Sequence, residues 1–153
     1  QTSPPIAAPS GELVWAKQNL PKSDVQIPAR KGTNPTGGLR LTQANFLVKG
    51  RAIDQTTYFR ELFRDFKWKA VSQIPYVEVA IVPFEVIIRG KFMGKFNLEI
   101  RHKPSGEAGQ HNYTTLISWG KAGEVIRSAK LVGANLQLYK PFRQGEPFQI
   151  AFS

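Results

Sequence analysis

Residues 77–102 read VEVAIVPFEVIIRGKFMGKFNLEIRH, and their period decides the fold class. Apolar side chains fall on alternate positions: Val77, Val79 and Ile81, then Phe84, Val86 and Ile88, then Phe96, Leu98 and Ile100. A repeat of two is the signature of a strand with one face turned to a core. Pro83 interrupts the first run, as proline does at a bulge or an edge. GKFMGK (90–95) lies between two alternating runs and predicts a hairpin turn.

The flanks continue the pattern. LVWAK (13–17) is a short β-like run. A polar, proline-punctuated stretch follows from Gln18 to Thr36, with Lys22, Arg30 and Lys31 in it. GGLRLTQANFLV (37–48) then predicts a strand entered from a glycine pair, with Leu39, Leu41 and Phe46 at strand spacing. AIDQTTYFRELFRDFKW (52–68) changes period: Phe59, Leu62, Phe63 and Phe66 recur every three or four residues, which predicts a helix capped by Asp54 or Thr56. Beyond residue 102, TTLISW (114–119) predicts a strand, GEVIRSAKL (123–131) a second short helix, and ANLQLYKP (134–141) and PFQIAFS (147–153) two closing strands. Six to eight strands with two helices among them favour a small barrel, open or closed, over a sandwich.

The 153 residues suit one domain with its own core, and a hydrophobic share of 41% with 21% charged residues is globular rather than disordered. Lys and Arg number 21 against 11 Asp and Glu, a net charge of +10. Such an excess says little about fold and much about partners: it favours polyanions, nucleic acid before an anionic membrane surface. The sequence has no cysteine, which excludes disulfides, cysteinyl zinc sites and thiol nucleophiles within it. Its two histidines cannot make a three-His site, and no stretch is long and apolar enough to cross a bilayer. QTSPPIAAPS (1–10) has linker composition and none of the features of a signal peptide. The expectation is a linker from an upstream domain over 1–12, a single β-domain over 13–153, and a soluble cytoplasmic protein.

RHKPSGEAGQHNYTTLISWG (101–120) raises the question of chemistry. It gathers His102, Glu107, His111 and Thr114, yet Ser105 and Ser118 sit in no nucleophile elbow, and Asp54, Glu85 and Glu99 are scattered. Solvated strand faces and salt bridges account for such acids without a metal. Catalysis by this chain is not expected, and neither metal nor other cofactor is implied. Binding fits better. Arg101, His102, Lys103, Ser105, Gln110, His111, Asn112 and Tyr113 supply the donors and acceptors that nucleic-acid readers use. A second polar stretch, ARKGTNPTGGLR (29–40), holds Arg30, Lys31, Thr33, Asn34 and Arg40, with glycines that permit close approach to phosphate. Exposed polar loops with no partner are the plain alternative, and the net charge weighs against it. Phe59, Trp68, Tyr113 and Trp119 raise base stacking on a single strand, although core packing explains most such aromatics, Trp15 and Trp119 above all.

In its order of parts the chain resembles the B-three DNA-binding pseudobarrel, known in plant transcription factors and in specificity domains of some restriction endonucleases. The parts that match are GTNPTGGLR (32–40) as N-arm, YFRELFRDF (58–66) as first helix, and FEVIIRGKFMGKFNLEIR (84–101) as central hairpin. HKPSGEAGQHNYTT (102–115) stands as C-arm, followed by LISWG (116–120), the helix GEVIRSAKL and the strand ANLQLYKP. The resemblance runs from Gly32 to Ser153 and rests on element order; the proline-containing segment before Gly32 has no counterpart in the minimal pattern. It implies a mainly β fold, an open seven-stranded pseudobarrel with two short helices at its ends. It further implies two arms that grip the major groove of duplex DNA, and in its bacterial branch a phospholipase-D-type nuclease domain upstream.

The expected function is therefore sequence-specific binding of double-stranded DNA, as the target-recognition domain of a bacterial restriction endonuclease near the nucleoid. Arg30, Lys31, Arg40, Lys49 and Arg51 would form one rim. Arg101, His102, Lys103, Gln110, His111 and Asn112 would form the other, with Gln110 and Asn112 reading bases and Arg40 or Arg101 pairing with guanine. The rivals are a β-barrel for single-stranded nucleic acid or RNA, a metal-dependent nuclease whose carboxylates converge in space, and a carbohydrate- or protein-binding β-domain.

Overall fold

The computed structural model describes residues 11–25, 38–44, 46–54, 57–73, 76–103 and 115–153. The alternating stretch forms its spine. Strand β6 (Tyr76–Ile88) and strand β7 (Lys91–His102) pair antiparallel from Glu78↔His102 to Ile88↔Lys91. The turn between them is only Arg89–Gly90, with φ of 49° and 81°. Two successive left-handed residues make the turn whose twist suits a hairpin, and glycine takes the second position without strain. The turn is thus shorter and earlier than GKFMGK predicts. Residues 91–95 are strand, and the register steps from Val86↔Gly94 to Ile87↔Phe92, leaving Met93 as a bulge. Gly94, at φ 133°, accommodates that bulge.

Pro83 does not break β6. On the edge away from β7, β6 pairs with β5 (Lys69–Gln73) as far as Val79 and with β10 (Phe148–Phe152) from Phe84 onward. Pro83 lies in the interval between those two ladders, where its missing N–H forfeits no bond on that edge. Strand β5 is an element the alternation did not announce.

The remaining strands are β1 (Glu12–Lys17), β2 (Gly38–Leu41), β8 (Thr115–Ser118) and β9 (Leu136–Lys140). They complete the order β1-β9-β10-β6-β7-β8-β2, with β5 attached to β6 beside this path. All neighbours are antiparallel except β10 and β6. The architecture is mainly β, an open, curled seven-stranded sheet with a few short helices, as expected. Helix α3 (Gly123–Ala129), behind a 3-10 turn at Gly120–Ala122, matches the predicted second helix.

Two elements depart from expectation. Helix α2 (Tyr58–Leu62) is five residues long, and Phe63 and Phe66 fall in the turns that follow it. Its N-cap is Thr57, which makes no side-chain cap bond; the Asp54 carbonyl instead accepts from the amides of Thr57 and Tyr58, at 3.1 and 2.8 Å. One turn of helix α1 (Lys22–Val25) occupies part of the polar stretch after β1 and buries Asp24 and Val25.

The inner face holds the core. Trp15 and Phe59 meet edge to face at 5.4 Å, and Phe63 lies 4.8 Å from Phe148 and 6.0 Å from Phe84 between ring centroids. Trp119 packs on Phe152 at 6.0 Å, so both expected core tryptophans are inside. Each fully buried large side chain contributes about 1.5–3 kcal/mol by leaving water.

Candidate nucleic-acid interface

Register brings separated sequence positions into one row. Arg40 on β2 and Arg101 on β7 both face Leu116 on β8, which lies between them. Directly opposed residues share a face, and here it is the outer one: their neighbours Leu39, Leu41, Ile100 and His102 are buried. Two guanidinium-bearing positions therefore stand two strands apart, about 10 Å, on the outer surface. Arg101 Nη2 is 3.5 Å from Glu99 Oε1 on the same strand. Gly38 keeps the row flat, since a Cβ there would meet the Leu116 side chain at 3.0 Å.

Segment 26–37 leads into β2 at Gly38, opposite Ser118, whereas 104–114 leads into β8 at Thr115, opposite Leu41. They therefore join opposite ends of one short antiparallel ladder, about 10 Å apart.

Asp24 fixes the first of these ends. β2 is an edge strand, so Arg40 presents its N–H and C=O outward, away from any strand. The N–H donates to Asp24 Oδ1 at 3.2 Å, and the C=O accepts from Lys17 Nζ, also at 3.2 Å. Lys17 Nζ is itself 2.5 Å from Asp24 Oδ2, the Arg40 guanidinium is 3.8 Å from Asp24 Oδ1, and the Trp119 indole donates to the Asp24 carbonyl at 2.6 Å. Trp15 adds a bond from its indole to the Thr42 carbonyl at 2.9 Å. Side chains thus join edges β1 and β2 without a ladder. No sequence signal marked Asp24 or Lys17; a lysine seven residues before an aspartate is unremarkable until the chain curls.

His102 fixes the second end, and here expectation is corrected. It was expected on the rim, but it is 2% exposed, on the inner face of β7, with Nδ1 2.8 Å from Thr115 Oγ1. Strand alternation places it inward beside Leu98 and Ile100, so the imidazole packs inside and reaches no groove. Burial holds its pKa below the ordinary histidine value; Glu78 opposes that shift and Arg60 adds to it. Trp68 stands edge-on to the ring at 6.2 Å between centroids. Arg60 donates to Glu78 Oε2 at 2.8 Å and lies 4.3 Å from the Trp68 ring centre, so this corner is an internally paired cluster.

The other expected residues divide. Lys103 follows β7 and is half-buried. Lys49 and Arg51 lie apart from the arginine row, on a two-stranded hairpin of β3 (Leu47–Val48) and β4 (Arg51–Ala52). Phe46 therefore does not extend β2. Arg30, Lys31, Thr33, Asn34, Ser105, Gln110, His111, Asn112 and Tyr113 lie outside the described residues. Among the described residues no three His, Asp or Glu side chains are grouped to hold a metal ion, and no helix is long and apolar enough to cross a membrane. Glu85 accepts from Gln149 at 3.0 Å across the sheet. Comparison with protein-family models, with curated proteins and with solved structures finds no match for this chain.

Proposed function

We propose that this chain is a sequence-specific double-stranded DNA-binding domain of the B-three type, the target-recognition part of a bacterial restriction endonuclease. Its partners are duplex DNA and an upstream nuclease domain, and its place is the cytoplasm near the nucleoid. The observation that supports this most is the outward-facing row Arg40–Leu116–Arg101. The two arginine positions stand about 10 Å apart, comparable to the width of a major groove, about 12 Å. Arginine at such a row pairs with guanine edges or phosphates, and the net charge of +10 supplies the long-range attraction.

Duplex binding measured across a salt series, with single-stranded competitor in parallel, tests the reading. Six phosphate contacts give a slope of log K against log[salt] of about −5. A slope near zero removes the electrostatic basis, and preference for the single strand overturns the duplex assignment. Single-strand binding has less support: of Phe59, Trp68, Tyr113 and Trp119, the aromatics weighed for stacking, Phe59 and Trp119 are buried in the core and Trp68 is half-buried against His102 and Arg60, while Tyr113 lies outside the described residues.

A further inference from the structure

The hairpin from Leu47 to Ala52 belongs to neither the core nor the main sheet. All six of its residues are exposed, Leu47 to 57% and Val48 to 38%. Leu47 pairs with Ala52 and Val48 with Arg51, around a turn at Lys49–Gly50 with φ of 52° and 78°. The geometry is again the two-residue turn favoured in hairpins. A ribbon with two residues per strand cannot bury its own apolar side chains, and alone it would be marginal. Its base, however, is clamped. Gln43 Nε2 donates to the Ile53 carbonyl at 2.9 Å, the Phe46 amide to the Gln43 carbonyl at 2.9 Å, and Ile53 is buried. A rigidly held finger thus projects apolar side chains into water.

Charge indicates what covers it. From Gln43 to Ile53 there are two basic residues, Lys49 and Arg51, and no acidic one. Leu47 and Ala52 share one face of the ribbon, Val48 and Arg51 the other, and Lys49 is at the tip. A two-stranded ribbon is too wide for a minor groove of about 6 Å but enters a major groove of about 12 Å. There the thymine C5-methyl is the one apolar group on a base edge, and the phosphates on either side are anionic.

We propose that the 47–52 hairpin is a third DNA-contacting element: it enters the major groove, sets Lys49 and Arg51 against phosphates, and packs Leu47, on the face it shares with Ala52, on thymine methyls. This rests on the duplex-binding reading above. The probe is a thymine-containing duplex recovered from a random pool by the wild-type chain, made also with deoxyuridine in place of thymidine. The Lys49→Ser/Arg51→Ser variant makes the salt slope shallower by about 1.8, from about 0.9 per phosphate. Each thymine methyl covered is worth about fourfold in affinity, so deoxyuridine weakens the wild type; the Leu47→Ala variant binds both duplexes alike. All three side chains are exposed, so the fold survives, and the melting temperature verifies that. If the wild type binds no duplex, the duplex reading fails and the hairpin proposal with it. If the wild type binds and either variant behaves as it does, the hairpin proposal alone is overturned.

Discussion

At Asp24 a fully buried carboxylate is matched by the Lys17 ammonium at 2.5 Å and by the main-chain N–H of Arg40. Removing one partner of a buried pair leaves the other charge unmatched, at a cost of roughly 3–5 kcal/mol. Asp24→Ala is therefore expected to lose stability of that order in urea denaturation, and Asp24→Asn less, because the amide oxygen still accepts from Arg40. Equal stability of Asp24→Ala and the wild type would disprove the pairing. His102 makes a second residue-scale prediction. Burial lowers its folded-state pKa beneath the unfolded value of about 6.5, so its contribution is complete above that pH and is lost as pH falls through the lower, folded-state value. The urea midpoint of the wild type should fall more between about pH 7.5 and pH 5 than that of His102→Gln. Parallel profiles would refute the link.

On the scale of elements, β2, β8 and β7 act together. Four ladder pairs between β2 and β8 set Arg40 and Arg101 on one face with Leu116 between them. The arginines are 61 positions apart in sequence, and only the register joins them. Arg40→Ala and Arg101→Ala are each expected to weaken duplex binding by about tenfold or more, given about 1–3 kcal/mol for a good arginine–base pair. Circular dichroism and melting temperature should stay near the wild type for Arg101→Ala, whose ion pair with Glu99 is half-exposed. Full affinity in both variants would remove this face from the interface. At the central hairpin, period two announced both strands, but before Pro83 it named the wrong face: Ala80 and Val82 are buried and Ile81 is exposed. It misplaced the turn because Lys91 to Lys95 carries a bulge, which shifts the alternation without ending the strand. For α2, the Phe59–Phe66 spacing announced a helix of full length. The helix stops at Leu62 because Phe63 and Phe66 serve the aromatic cluster with Phe84 and Phe148 from successive turns.

For the molecule as a whole, closure is the issue that separates a sheet from a barrel. The two edges, β1 and β2, are not hydrogen-bonded as strands. Trp15, Lys17 and Asp24 bridge them with side chains, which also satisfies the outward-facing groups that would invite edge-to-edge pairing. The salt dependence of binding belongs to this scale too, because it sums over every cation that reaches a phosphate, whichever element holds it. By itself the sequence determined the β class, the long central hairpin, the tryptophan core and the polycationic character, all local in origin: period two, aromatic content and an excess of Lys and Arg. The alternation of Phe96, Leu98 and Ile100 already turned His102 inward; tertiary structure alone decided that Arg40 and Arg101 align, that Lys49 and Arg51 stand on their own finger, and that Asp24 closes the seam. The reason is physical. Alternation tells which residues share a strand face, but strand register and sheet curl, set by contacts between distant segments, decide which faces meet and which look out on water.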